Sequence, residues 1–318
     1  VDAIVVDGLE KSYKHVRALD GIRFAVPEGE VFGLLGPNGA GKSTTVRILA
    51  TLTRADAGRA TVAGHDVATE AAAVRRTIGY VPQASGVDRE ATGRENLLLQ
   101  GRLQRMRGPD LDRRATDLLE AFGLTDKAHA LVKTYSGGMK RRLDVAMGLV
   151  HSPHVLFLDE PTTGLDPEAR AAMWEELERL AAAERLTILL TTHYLEEADR
   201  LARRVAIVAR GQVVVEGTPD ELKHALRGDA VTVELAAADA GRAAGVVQAL
   251  EGVHEVTPDG RRLHLRVEQG AQAVPLILGR LDAATIGVHA VTVSRPSLDD
   301  VYLHHTGRHF RADDEGAA

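Results

Sequence analysis

An apolar run, EVFGLLG, leads straight into GPNGAGKS at residues 36–43 and then into a stretch with helical spacing. No other feature of this 318-residue chain narrows its possible folds as far. The pattern G-x-x-x-x-G-K-[ST] between a buried strand and a helix is the signature of a phosphate-binding loop. Gly36, Gly39 and Gly41 let the main chain take left-handed angles and bring successive N–H groups together. The helix opening at Lys42 adds unpaired donors and the positive end of its dipole. Lys42 is expected to reach β- and γ-phosphates as a point charge, and the Ser43 hydroxyl to ligate Mg²⁺. Pro37, Asn38, Ala40 and Thr44 complete the expected nucleotide contacts. A Gly-rich turn matching by chance is the alternative, and the strand–loop–helix setting disfavours it.

The rest of the chain supports an α/β core. The first segments, AIVVDGLEKSYK and ALDGIRFAVPEGE, read as β-rich, and GRATVAGHDV and TIGYVPQ as further β-type passages. Residues of about 90–150 turn helical, with apolar side chains at three- and four-residue spacing. HVLFLDE, LTILLTTH, RVAIVAR and QVVVEG then read as strands, with helices PEARAAMWEELERLAAAER and YLEEADRLA between them. Alternation of this kind predicts a largely parallel sheet. After Asp229 the order becomes β-α-β-β-α-β, a ferredoxin-like α+β arrangement with Pro258-Asp259-Gly260 as its hairpin turn. The expected domains are therefore 1–228 and 229–318, the second ending in a short helix, PSLDDVYLHHTGRHF, and a frayed tail, RADDEGAA.

Composition excludes several function classes. The chain has no cysteine, which removes disulfides, thiolate metal sites and cysteine nucleophiles, and fits a cytoplasmic protein. A net charge of -6 argues against a general nucleic-acid binder. No run approaches the roughly 18 apolar residues of a spanning helix, and the first residues lack the apolar core of a signal peptide. A soluble protein is expected, whose membrane role, if any, comes through a partner.

In HVLFLDE, the run Val155–Leu158 belongs in the sheet, which puts Asp159 and Glu160 at its carboxyl edge, where open α/β sheets bind ligands. Asp159 suits the water shell of Mg²⁺, and Glu160 suits a general base that polarises an attacking water. Two solvated acids ending a strand are the alternative, which loses ground downstream of a phosphate loop. Ser136-Gly137-Gly138 opens another predicted helix. It is either a second anion site at a helix terminus or an ordinary serine cap.

The order of these elements resembles the ATPase cassette of ABC transporters. Phosphate loop, Gln83 in YVPQ, SGG opening a helix, LFLDE, GLDP at 164–167 and TTH ending at His193 follow one another over residues 3–225. The resemblance implies a P-loop NTPase with a mainly parallel core, an antiparallel β subdomain and a helical subdomain, binding ATP and Mg²⁺. It implies that Tyr13, with Val16 nearby, stacks on adenine, although Tyr13 alone reads as a half-buried strand residue. Gln83 is then the loop glutamine that touches Mg²⁺ or the attacking water and links to the membrane subunit. His193 is the switch histidine at the γ-phosphate. Ser136, Gly137 and Gly138 touch ATP held by the opposite subunit of a homodimer, and Asp166 lies across the same interface. Tyr135 and Met139 depart from the family's LSGGQ, so a contact from the glutamine position is not carried over.

SRPSLDDVYLHHTGR is similar to the ending of exporter ATPases of the daunorubicin/doxorubicin-resistance type. That resemblance implies a peripheral subunit at the cytoplasmic face of the membrane, driving a separate integral membrane permease. The C-terminal domain would brace the dimer or sense a small ligand. A non-transport ABC ATPase acting on ribosomes or nucleic acid is the rival. The single cassette, the lack of sustained heptads and the acidic charge disfavour it.

Overall fold

The computed structural model describes residues 1–184, 186–226, 228–236 and 239–307. The predicted tail at 311–318 and the end of the last predicted helix beyond Gly307 lie outside the described residues. The chain forms two compact units, Val1–Gly217 and a second beginning at Thr218.

The first unit opens with strands β1 (Asp2–Tyr13) and β2 (Val16–Pro27), paired antiparallel. Apolar side chains alternate between buried and exposed along both, the pattern of a sheet with one wet face. Strand β3 (Val31–Leu35) is buried and runs into helix α1 (Lys42–Leu49). Strands β4 (Ala57–Val62) and β5 (His65–Asp66) join the first two in a four-stranded sheet of order β2-β1-β4-β5. Helix α2 (Ala71–Thr77) leads to strand β6 (Ile78–Val81).

Three helices follow, α3 (Gly93–Leu103), α4 (Gly108–Ala121) and α5 (Gly137–Gly148). Thr92 and Glu95 form a reciprocal capping box that fixes the start of α3, and Ser136 caps α5 by accepting from the Met139 N–H. Strand β7 (Val155–Asp159), helix α6 (Pro167–Glu184), strand β8 (Thr187–Thr192) and helix α7 (Leu195–Leu201) come next. Strands β9 (Arg204–Ala209) and β10 (Gln212–Gly217) finish the unit.

The central sheet has six strands in the order β10-β9-β3-β8-β7-β6, parallel except where β10 meets β9. Every residue of β7 and β8 is buried, as expected for interior parallel strands covered on both faces. Leu156 and Leu158 face a core shared with the helices of residues 93–181, whereas Val155 and Phe157 face a second core with α1 and the antiparallel sheet. The four adjacent strands β3, β8, β7 and β6 end on one edge, so the residues that follow each of them converge there.

The second unit starts ahead of the composition change at Asp229, because helix α8 (Pro219–Ala225) belongs to it. Strand β11 (Asp229–Leu235), helix α9 (Ala240–Val247), strands β12 (Val253–Asp259) and β13 (Arg262–Val267), helix α10 (Gly270–Ala283) and strand β14 (Val288–Ser294) follow in the expected β-α-β-β-α-β order. The sheet order β12-β13-β11-β14, antiparallel throughout, is the ferredoxin-like one. The hairpin turn differs from the expected Pro258-Asp259-Gly260. Pro258 and Asp259 pair with Leu263 and Arg262 inside the ladder, and the reversal falls on Gly260 and Arg261. Strand β12 is an edge strand, where the missing N–H of a proline is tolerated. Helix α11 (Leu298–Thr306), opened by a Ser297–Asp300 capping box, packs with α8.

Candidate nucleotide-binding and hydrolytic site

Strand β3 delivers the phosphate loop to the sheet edge; close packing behind the loop explains Gly36 and Gly41, and a φ of 77° explains Gly39. A Cβ on Gly36 would sit 2.4 Å from the Val208 carbonyl oxygen. Gly41 has φ 109°, and a Cβ there would lie 2.6 Å from the carbonyl oxygen of Ala18. No side chain caps α1. Its first N–H groups, those of Lys42, Ser43 and Thr44, therefore face the cleft without helical partners, the arrangement that binds anions. A cleft of about 400 Å³ is lined by residues 38–44 together with Val16, Ala18, Gln83 and Glu160.

Lys42 is only 4% exposed. Its Nζ donates to the carbonyls of Gly36 at 2.6 Å and Pro37 at 3.0 Å, and lies 3.6 Å from Glu160 Oε1. Burial lowers the lysine pKa from its ordinary value, against an opposing pull from Glu160 and Asp159. Beside it, Ser43 Oγ donates to Asp159 Oδ1 at 2.8 Å, and Thr191 Oγ1 donates to the same oxygen at 2.8 Å. Thr191 also accepts the Glu160 N–H on its hydroxyl at 3.0 Å. That bond helps hold Glu160 at φ 48°, a left-handed conformation uncommon for a non-glycine residue.

Glu160 is nearly buried, and its second oxygen is crowded by donors. Oε2 accepts from Gln83 Nε2 at 3.0 Å and Thr163 Oγ1 at 3.1 Å, and His193 Nδ1 lies 3.2 Å away. Burial alone would raise the carboxyl pKa, but His193, Lys42 and Thr163 together hold it below the ordinary value. It is therefore an anion at neutral pH. Lys42, Glu160, Gln83 and His193 come from the ends of β3, β7, β6 and β8, and meet because those strands are neighbours.

Ser43, which lines the cleft, and Asp159, hydrogen-bonded behind it, offer a hard oxygen donor pair, which fits Mg²⁺ better than a soft metal. Among the described residues no group of three His, Cys, Asp or Glu could hold a metal alone. An ion bound here would take its remaining ligands from phosphate and water.

Other expected residues lie elsewhere. Val16 lines the cleft, but Tyr13, paired with it across the hairpin, is 44% exposed and outside the cleft walls, with Lys11 Nζ 5.5 Å from its ring centroid. Ser136, Gly137 and Gly138 are also outside those walls, and the Ser136 hydroxyl caps its own helix. Asp166 Oδ1 accepts the Ala169 N–H at 2.8 Å, at the start of α6. Tyr135, in place of the family leucine, is buried and donates to the Lys127 carbonyl at 2.6 Å, while Met139 packs against the adjoining core. Thr191, Thr163 and Arg141, which hold the acidic turn, were not singled out from sequence. Thr191 sat in view within LTILLTTH, but only strand pairing reveals its contact with Asp159.

Comparison with known proteins gives the family. The ABC transporter family model matches residues 19–163, and the model described as ATP-binding protein DrrA1-3-like, C-terminal domain, matches residues 217–306. The daunorubicin resistance ATP-binding protein DrrA3 of Streptomyces coeruleorubidus is 49% identical over 305 residues, 96% of each chain. The daunorubicin/doxorubicin resistance ATP-binding protein DrrA of Streptomyces peucetius is 45% identical, covering 96% of this chain and 92% of its own. An ATP-binding cassette solved as a dimer in a post-hydrolysis state with ADP and phosphate superposes with TM-score 0.62 at 25% identity, over 68% of this chain and 98% of that one. The chain belongs to the ABC transporter family, as an ATP-binding and ATP-hydrolysing subunit of the group with a DrrA-type C-terminal domain.

Proposed function

We propose that this chain takes MgATP into the cleft at Lys42 and powers export of a drug-like or lipid-like molecule through a separate integral membrane permease. The convergence of Lys42, Gln83 and Glu160 on one cleft carries the reading. Phosphoryl transfer asks for positioning and charge neutralisation more than covalent chemistry. Lys42 and the α1 N–H groups would neutralise phosphate oxygens, and Ser43 and Asp159 would hold Mg²⁺, which supplies further positive charge to the phosphates. Glu160, already ionised, would orient the attacking water and accept its proton, with Gln83 and His193 fixing the carboxylate from either side.

The cargo class follows from the relatives named for daunorubicin and doxorubicin resistance. The dimeric solved cassette supports a homodimer, in which Ser136, Gly137, Gly138 and Asp166 of one copy would face ATP held by the other. Among the described residues no helix is long and apolar enough to cross a membrane. On this reading the permease is a separate chain, with this subunit peripheral at the cytoplasmic face. We assign residues 229–318 an accessory role in bracing that dimer. Affinity isolation of tagged chain from detergent-solubilised membranes tests the reading. A multi-spanning protein should co-purify, and isolation of the chain alone would count against it.

A further inference from the structure

Two charged side chains on α5 are buried where a helix normally presents apolar ones. Arg141 and Asp144 share a face with Val145 and Gly148, and are only 7% and 5% exposed. All four hydrogen bonds of the Arg141 guanidinium end on main-chain carbonyls. Nη1 donates to Pro82 at 2.6 Å and Nε to Pro161 at 2.7 Å. Nη2 donates to Asp159 at 3.1 Å and Glu160 at 3.2 Å. One turn along, Asp144 Oδ1 accepts the Gly86 N–H at 2.9 Å.

This bonding has a definite target. The loop that carries Gln83 is held on both sides, by its Pro82 carbonyl and its Gly86 amide. The same guanidinium holds the turn before, at and after Glu160. Across the gap between these two segments, Gln83 Nε2 donates to Glu160 Oε2 at 3.0 Å. Burying these charges is costly: desolvation lowers the Arg141 pKa and raises that of Asp144. An apolar pair would fill the space without that cost, but could not specify where two loops stand. A guanidinium can, because its rigid fork offers five donors in fixed directions.

We infer that Arg141 and Asp144 are positioning residues for hydrolysis, which lock the Gln83 loop and the Glu160 turn to a single helix. Any displacement of α5, or of the loop at residues 82–86, then changes how Gln83 meets the hydrolytic carboxylate. The inference rests on the hydrolytic reading of Glu160 and Gln83.

The test compares the full chain carrying Asp144→Ala, Asp144→Asn, Arg141→Lys or Glu160→Gln. ATP turnover, equilibrium binding of a fluorescent ATP analogue and amide exchange over residues 83–86 are measured. A displacement of about 1 Å at a reacting group costs on the order of 100-fold. Asp144→Ala and Arg141→Lys should therefore lower kcat by about 10- to 100-fold, while the Kd for the analogue changes little. Exchange at Gly86 should quicken in Asp144→Ala. Asp144→Asn retains the Oδ1 acceptor and should restore both kcat and the slow exchange. Wild-type kcat in folded Asp144→Ala and Arg141→Lys would overturn the inference. So would loss of binding in step with kcat, or an asparagine variant as impaired as the alanine one. Should Asp144→Ala fail to fold, the kcat of Arg141→Lys, read against its nucleotide affinity, decides. Wild-type turnover in Glu160→Gln would instead refute the hydrolytic reading itself.

Discussion

Lys42 Nζ and Glu160 Oε1 face each other at 3.6 Å across a cleft that both help to line. The cation proposed to meet phosphate is thus balanced by the anion proposed to meet water. Both are nearly buried, and neither charge would be stable there alone. On the proposed reading, a triphosphate entering the cleft would offer Lys42 a stronger partner and free Glu160 to meet the attacking water.

Glu160→Gln should keep nucleotide binding and lose turnover. Glutamine preserves the volume and can still accept from Gln83, but it takes no proton from water. Phosphate release should fall by about 100-fold or more, and a dimer should accumulate with ATP on size exclusion. Turnover near the wild-type rate would remove Glu160 from the mechanism.

Gly41→Ala should close the phosphate loop. The added methyl would meet the Ala18 carbonyl at 2.6 Å, and φ 109° is hostile to a side chain. Strain of this kind costs about 1–3 kcal/mol, so the melting temperature should fall and ATP should no longer raise it. A variant that melts and binds ATP like the wild type would show that the loop is looser than its packing indicates.

Ser136→Ala and Ser136→Asp separate helix capping from phosphate contact. Alanine removes the bond to the Met139 N–H and should cost about 1 kcal/mol of stability. Aspartate caps as well as serine, yet puts a negative charge where the partner's ATP is proposed to bind. It should fold normally and fail to dimerise with ATP. ATP-dependent dimerisation of the aspartate variant, seen by light scattering, would place the serine outside the nucleotide interface.

Glu197 predicts a pH dependence. It is fully buried on α7, with Oε1 accepting from Thr162 at 2.8 Å and Trp174 at 3.1 Å, and desolvation raises its pKa above the ordinary 4.5. The folded state therefore holds this proton more tightly than the unfolded chain does. Its contribution to stability is largest below 4.5 and declines as pH rises toward the elevated folded value. Glu197→Gln should remove that decline and melt higher than wild type near neutral pH. Parallel stability–pH curves for the two proteins would contradict this.

Much of the fold and half of the site were legible from sequence because their signals are local. GPNGAGKS, the all-apolar run before Asp159, and the β-α-β-β-α-β order each depend on neighbours in the chain. The buried pair on α5 is less legible, although positions 141, 144, 145 and 148 trace one helical face in which arginine and aspartate sit beside valine and glycine. That mismatch was visible, but its meaning needed the carbonyls of residues 82 and 159–161, distant in sequence. The turn at Gly260 was misplaced for a similar reason, since Pro258 reads as a turn residue until its strand is known to be an edge.

The strand order β3-β8-β7-β6 has a consequence for biosynthesis. The slot between the first-made strand and its later neighbour is filled by β8, the last of the four to be synthesised. Until residues 187–193 have left the ribosome, the nascent chain has neither the Thr191 support under Asp159 nor His193 beside Glu160. Such long-range closure is slow compared with local hairpins and helices. On the proposed mechanism, a chain that ends short of His193 would carry its phosphate loop without the groups that hold Asp159 and Glu160 for hydrolysis.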